Sequence, residues 1–335
     1  MPYAQISFVM WLLIVLALVF DFLNGMNDAA NSIATVVSTR VLTPYQAVAW
    51  AAFFNFIAFA FFQLKVAETI GKGIVDPAIV DNNMVAGTLL GASAWTYFCT
   101  SYGLPISVSH ALIGGLVGTA LAKGGFAYLV WSGIIKTVAF IVLAPLLGMF
   151  FGLIIAVATT WTFRRSTPRQ VENLFRRGQL LSAAFYALGH GGNDAQKTMG
   201  IIYVLLLANG ALGSDASIPT EVVLSSHLAM GLGTLIGGWT VIRTLGHRLV
   251  KLRPVDGFCA ESGAAATLLL TMFGGIPAST THTVTGAIVG VGSARYRLSA
   301  VRWGVAGQVI WAWLLTIPGS AVAAAASGWL LAGLI

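Results

Sequence analysis

The chain has 335 residues, 57% of them hydrophobic and only 9% charged, against roughly a quarter charged in an average soluble domain; this excludes a water-soluble globular protein and points to an all-α protein integral to a membrane. Its 18 Lys and Arg against 11 Asp and Glu sit between apolar runs, not in a stripe with interleaved aromatics, which excludes a nucleic-acid partner and matches the cytoplasmic loops of a multi-pass protein in the lipid bilayer of the cell membrane. Cys99 and Cys259 each stand alone in an apolar stretch, so no thiol metal site or redox pair is expected.

The N-terminal stretch is apolar, with no Lys or Arg before it and no small-residue cleavage site, and reads as a first membrane helix over 6–23. Apolar segments follow at 27–39, 46–64, 84–101, 106–122 and 126–160, then at 180–208, 222–242, 258–274, 279–294 and 301–334. A spanning helix needs about 20 residues, so several are full spans, 126–160 has room for two, and the short ones read as half-helices, about 10–12 membrane segments in all. The strongly polar interruption, Arg164 to Gln179, holds five arginines and divides the chain into 1–163 and 180–335, with 164–179 as a basic cytoplasmic linker.

The two parts share words. Gly25-Met-Asn-Asp-Ala29 recurs in the second part as Gly191-Gly-Asn-Asp-Ala195. Gly103-Leu-Pro-Ile-Ser-Val-Ser-His110 recurs, in the same order and at nearly the same offset, as Gly275-Ile-Pro-Ala-Ser-Thr-Thr-His282, with Gly114, Gly118 and Trp131 matched by Gly286, Gly290 and Trp303. Charge indicates how the halves are oriented. Arg243 to Arg253 holds four Lys or Arg and no acid, whereas its counterpart Lys65 to Asp81 holds two Lys and three acids. Arg295, Arg297 and Arg302 face a counterpart loop with only Lys123, and Arg40 faces the loop 209–221, which has no base. Basic loops lie in the cytoplasm, so equivalent loops fall on opposite sides. The fold expected is two inverted-topology repeats, 1–163 and 180–335, with discontinuous helices and helical hairpins and a binding site at the midplane.

A charge at the bilayer centre costs about 3 kcal/mol even on a lenient scale, so Asp28, Asp194 and Glu261 inside apolar segments need a reason. Pairing with a neighbouring base or capping a helix would be the bland one, but no base lies near Asp28 in sequence. Gly before each Asn-Asp lets the backbone leave helical geometry, so Asn27, Asp28, Asn193 and Asp194 can converge with freed carbonyls as an oxygen-only set for a hard cation. Sodium bound there, or a proton on a carboxylate, is the expected coupling ion, and no other cofactor is expected. Asp21, about two turns before Asp28, shares its face or faces water.

In Gly-x-Pro-x-Ser, the glycine ends one helix, the proline blocks its continuation and the hydroxyls cap a new one. The restarted N-terminus presents unpaired N–H groups and positive dipole to an oxyanion, with Ser107, Ser109, Ser279, Thr280 and Thr281 adding donors. Small-residue helix packing is the competing reading for any one of these hydroxyls. His110 and His282 suit packing and ligation equally. Lys197 pairs with Asp194 or attracts the anion; its counterpart is Asn31. His190 and His227 have no equivalent in the other half and are read as structural.

Both duplicated words, with Gln196-Lys197 beside the second Asn-Asp, resemble the inorganic phosphate transporter family, the Pit or PHO4-type permeases, over almost the whole chain. The resemblance implies inverted repeats of broken helices, phosphate symport driven by sodium or protons, and a homodimer. It makes Asn27, Asp28, Asn193 and Asp194 the ion and phosphate core and Ser107, Ser109 and Ser279 to Thr281 the phosphate cradle, with Glu261 similar to a family glutamate needed for transport. Two departures stand out: Val108 replaces a small or hydroxyl residue, and Asn55 lies where animal relatives carry a glutamate.

A permease of the same fold for sulfate or another oxyanion is the nearest alternative, and the retained Asp of both pairs speaks against it. An intramembrane hydrolase needs one serine beside its base; duplicated candidates in an inverted frame give catalysis no advantage, so an enzyme is not expected. A passive anion pore would be hindered by paired acids unless a cation accompanied the anion.

Overall fold

The computed structural model describes residues 6–213, 216–242, 252–296, 299 and 301–332; Arg243, Arg248, Lys251 and Arg297 of the two basic loops lie outside the described residues. The described chain is helical apart from turns and one bridge between Val75 and Leu129. In order come α1 (Phe8–Ser38), α2 (Pro44–Ile57), α3 (Lys65–Gly73), α4 (Asn82–Ser101), α5 (Val108–Gly124), α6 (Trp131–Thr162), α7 (Pro168–Ala208), α8 (Thr220–Ile236), α9 (Pro254–Phe273), α10 (Thr280–Tyr296) and α11 (Trp303–Leu331). From α4 onward the halves keep one register. The offset that carries Gly103 onto Gly275 also carries both ends of α4 onto those of α9, both ends of α5 onto those of α10, and the start of α6 onto that of α11.

Local chemistry sets many of these starts. Thr43 and Gln46 close a capping box with Pro44 at the first helical position of α2, and Thr167, Gln170 and Pro168 do the same for α7. Asp81 accepts from the Met84 amide at 2.9 Å to begin α4. The segment 168–179 of the polar stretch is therefore the first turns of α7, not extended chain.

Among the described residues, four helical stretches, Phe8–Ser38, Val108–Tyr128, Trp131–Thr162 and Trp303–Leu331, are long and apolar enough to cross a membrane, and α2 with its following turn and α3 make a fifth, bent by 82°. The 41-residue α7 fails that hydropathy test because its buried face carries His190, Asn193, Asp194, Gln196 and Lys197. The segment 126–160 holds one span, α6, not two.

Two breaks fall where the sequence puts them. Between α4 and α5, Gly103 takes φ +67°, and between α9 and α10, Gly275 takes φ +63°, a region open to glycine and costly for other residues. The Ser107 and Ser279 hydroxyls then accept from the His110 and His282 amides at 3.3 and 3.2 Å, so each pair of arms is a hairpin with a capped restart.

The expected break at the Asn-Asp words is absent. Segments 6–23 and 27–39 are one continuous α1, and α7 runs unbroken through Gly191 and Gly192, so no backbone carbonyls are freed there. These glycines serve close approach instead. A Cβ on Gly25 would overlap the Met230 carbonyl of α8, one on Gly233 of α8 would overlap the Phe22 carbonyl of α1, and one on Gly191 would come within 2.5 Å of the Asn55 carbonyl of α2.

The halves interlock. α6 packs along α10 and α9 of the second half, and α11 along α5 and α4 of the first. Gly286 and Gly290 of α10 meet the Pro145 and Met149 carbonyls of α6, while Gly114 and Gly118 of α5 meet Ile317 and Ala321 of α11, small-residue contacts of the kind that draw membrane helices together. Gly286→Val is expected to cost about 1–3 kcal/mol through overpacking and to lower the thermal midpoint of the detergent-purified protein. Gly304→Ala, whose added Cβ meets nothing within 4 Å, is expected to leave that midpoint unchanged.

Candidate functional site

In the C-terminal halves of α1 and α7, helical spacing puts Asp28 and Asn31, and likewise His190, Asp194 and Lys197, on faces directed at the two hairpin restarts. The structure gathers Asn27, Asp28, Asn31, Asn193, Asp194 and Lys197 with Ser107, Ser109, Ser279, Thr280 and Thr281, none more than 4% exposed. The centre is closed to both faces of the protein.

Two cross-half contacts organise it. Asn31 Nδ2 of α1 donates to Thr281 Oγ1 of α10 at 2.8 Å, and Lys197 Nζ of α7 donates to Ser109 Oγ of α5. Lys197 is the repeat counterpart of Asn31, and Thr281 that of Ser109, so each long helix reaches the other half's hairpin through the equivalent position. Lys197 also pairs with Asp194 Oδ1 and donates to the Ala278 carbonyl at 3.3 Å. Thr280 Oγ1 donates to Asp194 Oδ2 at 3.0 Å. The Thr281 hydroxyl, 3.3 Å from Asp28 Oδ1 and 3.0 Å from the Ile106 carbonyl, shares its proton between them. In the first half Val108 stands where Thr280 stands in the second and offers no such donor.

His190, expected from the sequence to be structural, lies against both acids. Its Nε2 lies 3.3 Å from Asp194 Oδ2 and 4.0 Å from Asp28 Oδ2. Asp28, His190 and Asp194 each turn a ligand atom to a common point, all within 4.8 Å of one another. The other ring nitrogen is held from behind, at 3.0 Å from Ser32 Oγ and 3.2 Å from Asn55 Oδ1. Asn55 Nδ2 donates to Thr234 Oγ1 at 3.0 Å, and Thr234 in turn donates to the Met230 carbonyl. That chain fixes the Asn55 amide with its oxygen toward the imidazole, so Nδ1 bears a proton and Nε2 faces the carboxylates. The available signal was the offset between the two Asn-Asp words, which lays His190 on Asn24; a search for identical residues passes over it.

The two Asn of the repeated words are treated differently. Asn27 Nδ2 donates to Thr100 Oγ1 at 2.6 Å, whereas neither amide atom of the wholly buried Asn193 has a partner. An orphaned buried amide costs about 1–3 kcal/mol, and beside Asp194 it offers its oxygen and both N–H donors to whatever binds there.

Other expected residues lie apart from this centre. Glu261 is wholly buried and accepts from Thr35 Oγ1 at 2.6 Å, Gln179 Nε2 at 2.9 Å and Ser182 Oγ at 2.5 Å, a second carboxylate site with neutral donors only among the described residues. Asp21 does not face water: it is buried, accepts from Asn24 at 3.4 Å through one oxygen and leaves the other unpartnered. His110 and His282 meet edge to face with centroids 4.8 Å apart, and His282 stacks on Trp313 of α11 at 3.7 Å. His282 Nδ1 also lies 3.3 Å from the Ile141 carbonyl of α6, and Trp313 Nε1 braces the first hairpin through the Pro105 carbonyl at 3.1 Å.

Each hairpin tip rests on a short element of the other half. Thr69 Oγ1 of α3 donates to the Gly275 carbonyl at 2.8 Å, and Thr240, in the helical segment 239–242, donates to the Thr100 carbonyl at 2.6 Å. Gln196, next to Lys197, accepts from the Val66 and Ala67 amides at 3.0 and 3.3 Å and donates to the Gln63 carbonyl at 2.9 Å. It caps α3 and holds the bend before it.

Comparison with known proteins gives a consistent answer. The PHO4 "Phosphate transporter family" matches residues 24–324. A "Probable low-affinity inorganic phosphate transporter" of Rhizobium meliloti (strain 1021) is 56% identical over 313 residues, 93% of each chain, and one of the same name from Bacillus subtilis (strain 168) is 41% identical over 322 residues, 96% of each. A solved structure titled "The sodium-dependent phosphate transporter" superimposes with a TM-score of 0.90 at 26% identity, over 98% of this chain and all of that one. With both duplicated words at one buried centre and a match across nearly its full length, the chain belongs to the PHO4 phosphate transporter family.

Proposed function

We propose that this chain is a symporter that moves inorganic phosphate across the cell membrane by alternating access, built from two inverted-topology repeats flanking 164–179. The carrying observation is the crossed pair Asn31–Thr281 and Lys197–Ser109 around Asp28 and Asp194. Equivalent helices reaching opposite hairpins supports an inverted repeat, and two tip contacts, Thr69–Gly275 and Thr240–Thr100, give one closure for each side. The basic ends gather on one face, where Arg176 donates to the Arg40 carbonyl and Arg295 pairs with Asp256; this face is the cytoplasmic one. The assembly proposed is the homodimer that the family resemblance implies.

The centre favours phosphate over sulfate for a chemical reason. A carboxylate only accepts hydrogen bonds. Hydrogen phosphate carries a hydroxyl that donates to Asp28 or Asp194, whereas sulfate at neutral pH has none and meets the acids as repulsion. Ser109, Thr280, Thr281, Asn31, Lys197 and the capped starts of α5 and α10 supply the opposing donors.

Coupling follows from charge. Lys197 is neutralised by Asp194, so an anion can claim Lys197 only if a cation claims Asp194 in its place. Asp28, Asp194, the free Asn193 oxygen and Asn27 form a hard-oxygen set suited to sodium, and a proton on a carboxylate serves the same charge balance. Glu261, with Thr35, Ser182 and Gln179, supports a second cation position. Relatives named as transporters and a neighbour whose title is sodium-dependent point the same way.

Asp28→Asn and Asp194→Asn are each expected to insert in the membrane normally and to lower phosphate uptake in proteoliposomes roughly a hundredfold, since unbalancing a buried charge network costs about 3 kcal/mol or more. Near-normal uptake by either variant would remove the carboxylate pair from the mechanism. In the wild type, excess arsenate, which also carries a donor hydroxyl, is expected to suppress labelled phosphate uptake while the same excess of sulfate leaves it unchanged. Equal competition by sulfate would refute the donor argument.

A further inference from the structure

Two turns before Asp28 on α1, about 10 Å nearer the start of that helix, lies a buried acid that the phosphate centre does not use. Asp21 is wholly buried and has no base of its own among the described residues: the charged groups that act on it are Asp194 and Lys197, and Lys197 is closed on Asp194. Its Oδ1 accepts from Asn24 Nδ2 at 3.4 Å. That contact commits the nitrogen of the amide and leaves its oxygen over, so Asn24 Oδ1 and Asp21 Oδ2 are both buried without a partner. Thr198 of α7 stands beside Asp21; it too is wholly buried, and its hydroxyl makes no hydrogen bond.

The repeat brings the same side chains together independently. The offset that joins the two Asn-Asp words carries Asn24 onto His190, Ser32 onto Thr198 and Asp21 onto Ala187. In one copy the Ser32 hydroxyl lies 3.0 Å from the His190 ring. The equivalent pair is Thr198 with Asn24, and there the chain adds an acid where the other copy has alanine. A carboxylate oxygen and an amide oxygen only accept hydrogen bonds, so neither satisfies the other, and the single hydroxyl has one proton to give. A proton carried by Asp21 would serve two of the three oxygens at most, whereas a hard cation takes all three.

Resting on the transport reading above, we propose that Asp21, Asn24 and Thr198 bind a sodium ion, at an outer site separate from the Asp28–Asp194 centre. α1 ends at Ser38, beside the Arg40 carbonyl that Arg176 holds on the basic face, so Asp21 lies on the opposite, outer side of the centre. Thr35, an equal seven residues beyond Asp28, bonds Glu261 on the inner side at 2.6 Å. All three ligands of the outer site belong to α1 and α7 and none is a hairpin hydroxyl, so the site fills without phosphate.

The test measures labelled sodium bound by the detergent-purified protein without phosphate, for wild type, Asp21→Asn, Thr198→Val, Asp28→Asn and the double variant Asp21→Asn, Asp28→Asn. Asp21→Asn is expected to bind one sodium ion fewer per chain than wild type, and the double variant one fewer than Asp28→Asn, because the two sites are separate. Thr198→Val removes one oxygen and no charge; it is expected to weaken sodium affinity at this site roughly tenfold and carries the test if Asp21→Asn fails to fold. Sodium binding by Asp21→Asn equal to that of wild type, a loss that disappears in the Asp28→Asn background, or unchanged affinity in Thr198→Val overturns the site. A wild type that binds no sodium yet takes up phosphate into proteoliposomes under a proton gradient overturns the site and leaves transport standing. No uptake under either a sodium or a proton gradient overturns both.

Discussion

Two carboxylates brought together inside an apolar interior are tolerable only when surrounding groups return the solvation they lose. Asp28 and Asp194 meet that condition through His190, Lys197, Thr280 and Thr281, and the architecture can be understood as the means of bringing those groups together. Unbroken α1 and α7 deliver the acids at equivalent positions in their C-terminal halves. Glycines let α8 approach α1 and let α2 approach α7 at backbone contact, which puts Asn55 and Thr234 behind the imidazole. Each hairpin is capped at its restart and gripped near its tip by the opposite half.

What could be learned from sequence divides along the range of the interaction. The hairpin breaks were legible because glycine, proline and a capping serine decide them within one short stretch of chain. The need of Asp28, Asp194 and Glu261 for buried partners was legible because a charge in an apolar run is anomalous wherever it falls. Gly25 and Gly191 were misread because a glycine beside a polar pair either releases the helix or admits a neighbour, and only the Met230 and Asn55 backbones across the gap decide which. The 82° bend inside the apolar run 46–64 carries no proline or glycine at all; it is held by the side chain of Gln196, far away in the other half of the sequence. His190 escapes a repeat defined by likeness, because it differs from its counterpart Asn24.

That unlikeness is systematic. In and beside the repeated words, Asn24, Ala30, Asn31 and Val108 of the first half stand opposite His190, Gln196, Lys197 and Thr280 of the second. A perfectly doubled site would hold two carboxylates, amides and hydroxyls with no base, and would suit a cation alone. Each replacement adds a donor or a basic group to the second copy. The first half keeps the acid and the second adds what an anion needs.

The same asymmetry gives the proposed cotransport its thermodynamic form. Closed on each other, Lys197 and Asp194 neutralise one another, and neither is open to an ion that arrives alone. A cation at the carboxylates frees Lys197 for the anion, and an anion at Lys197 frees the carboxylates for the cation, so each ion raises the affinity for the other by one and the same factor. A symmetric site without Lys197 would have no such switch, because nothing basic would be released when the cation arrived. The closed hairpin tips then have a reason to stay shut over a half-loaded centre: an unbalanced charge inside the protein is dearer than either the empty pair or the full one.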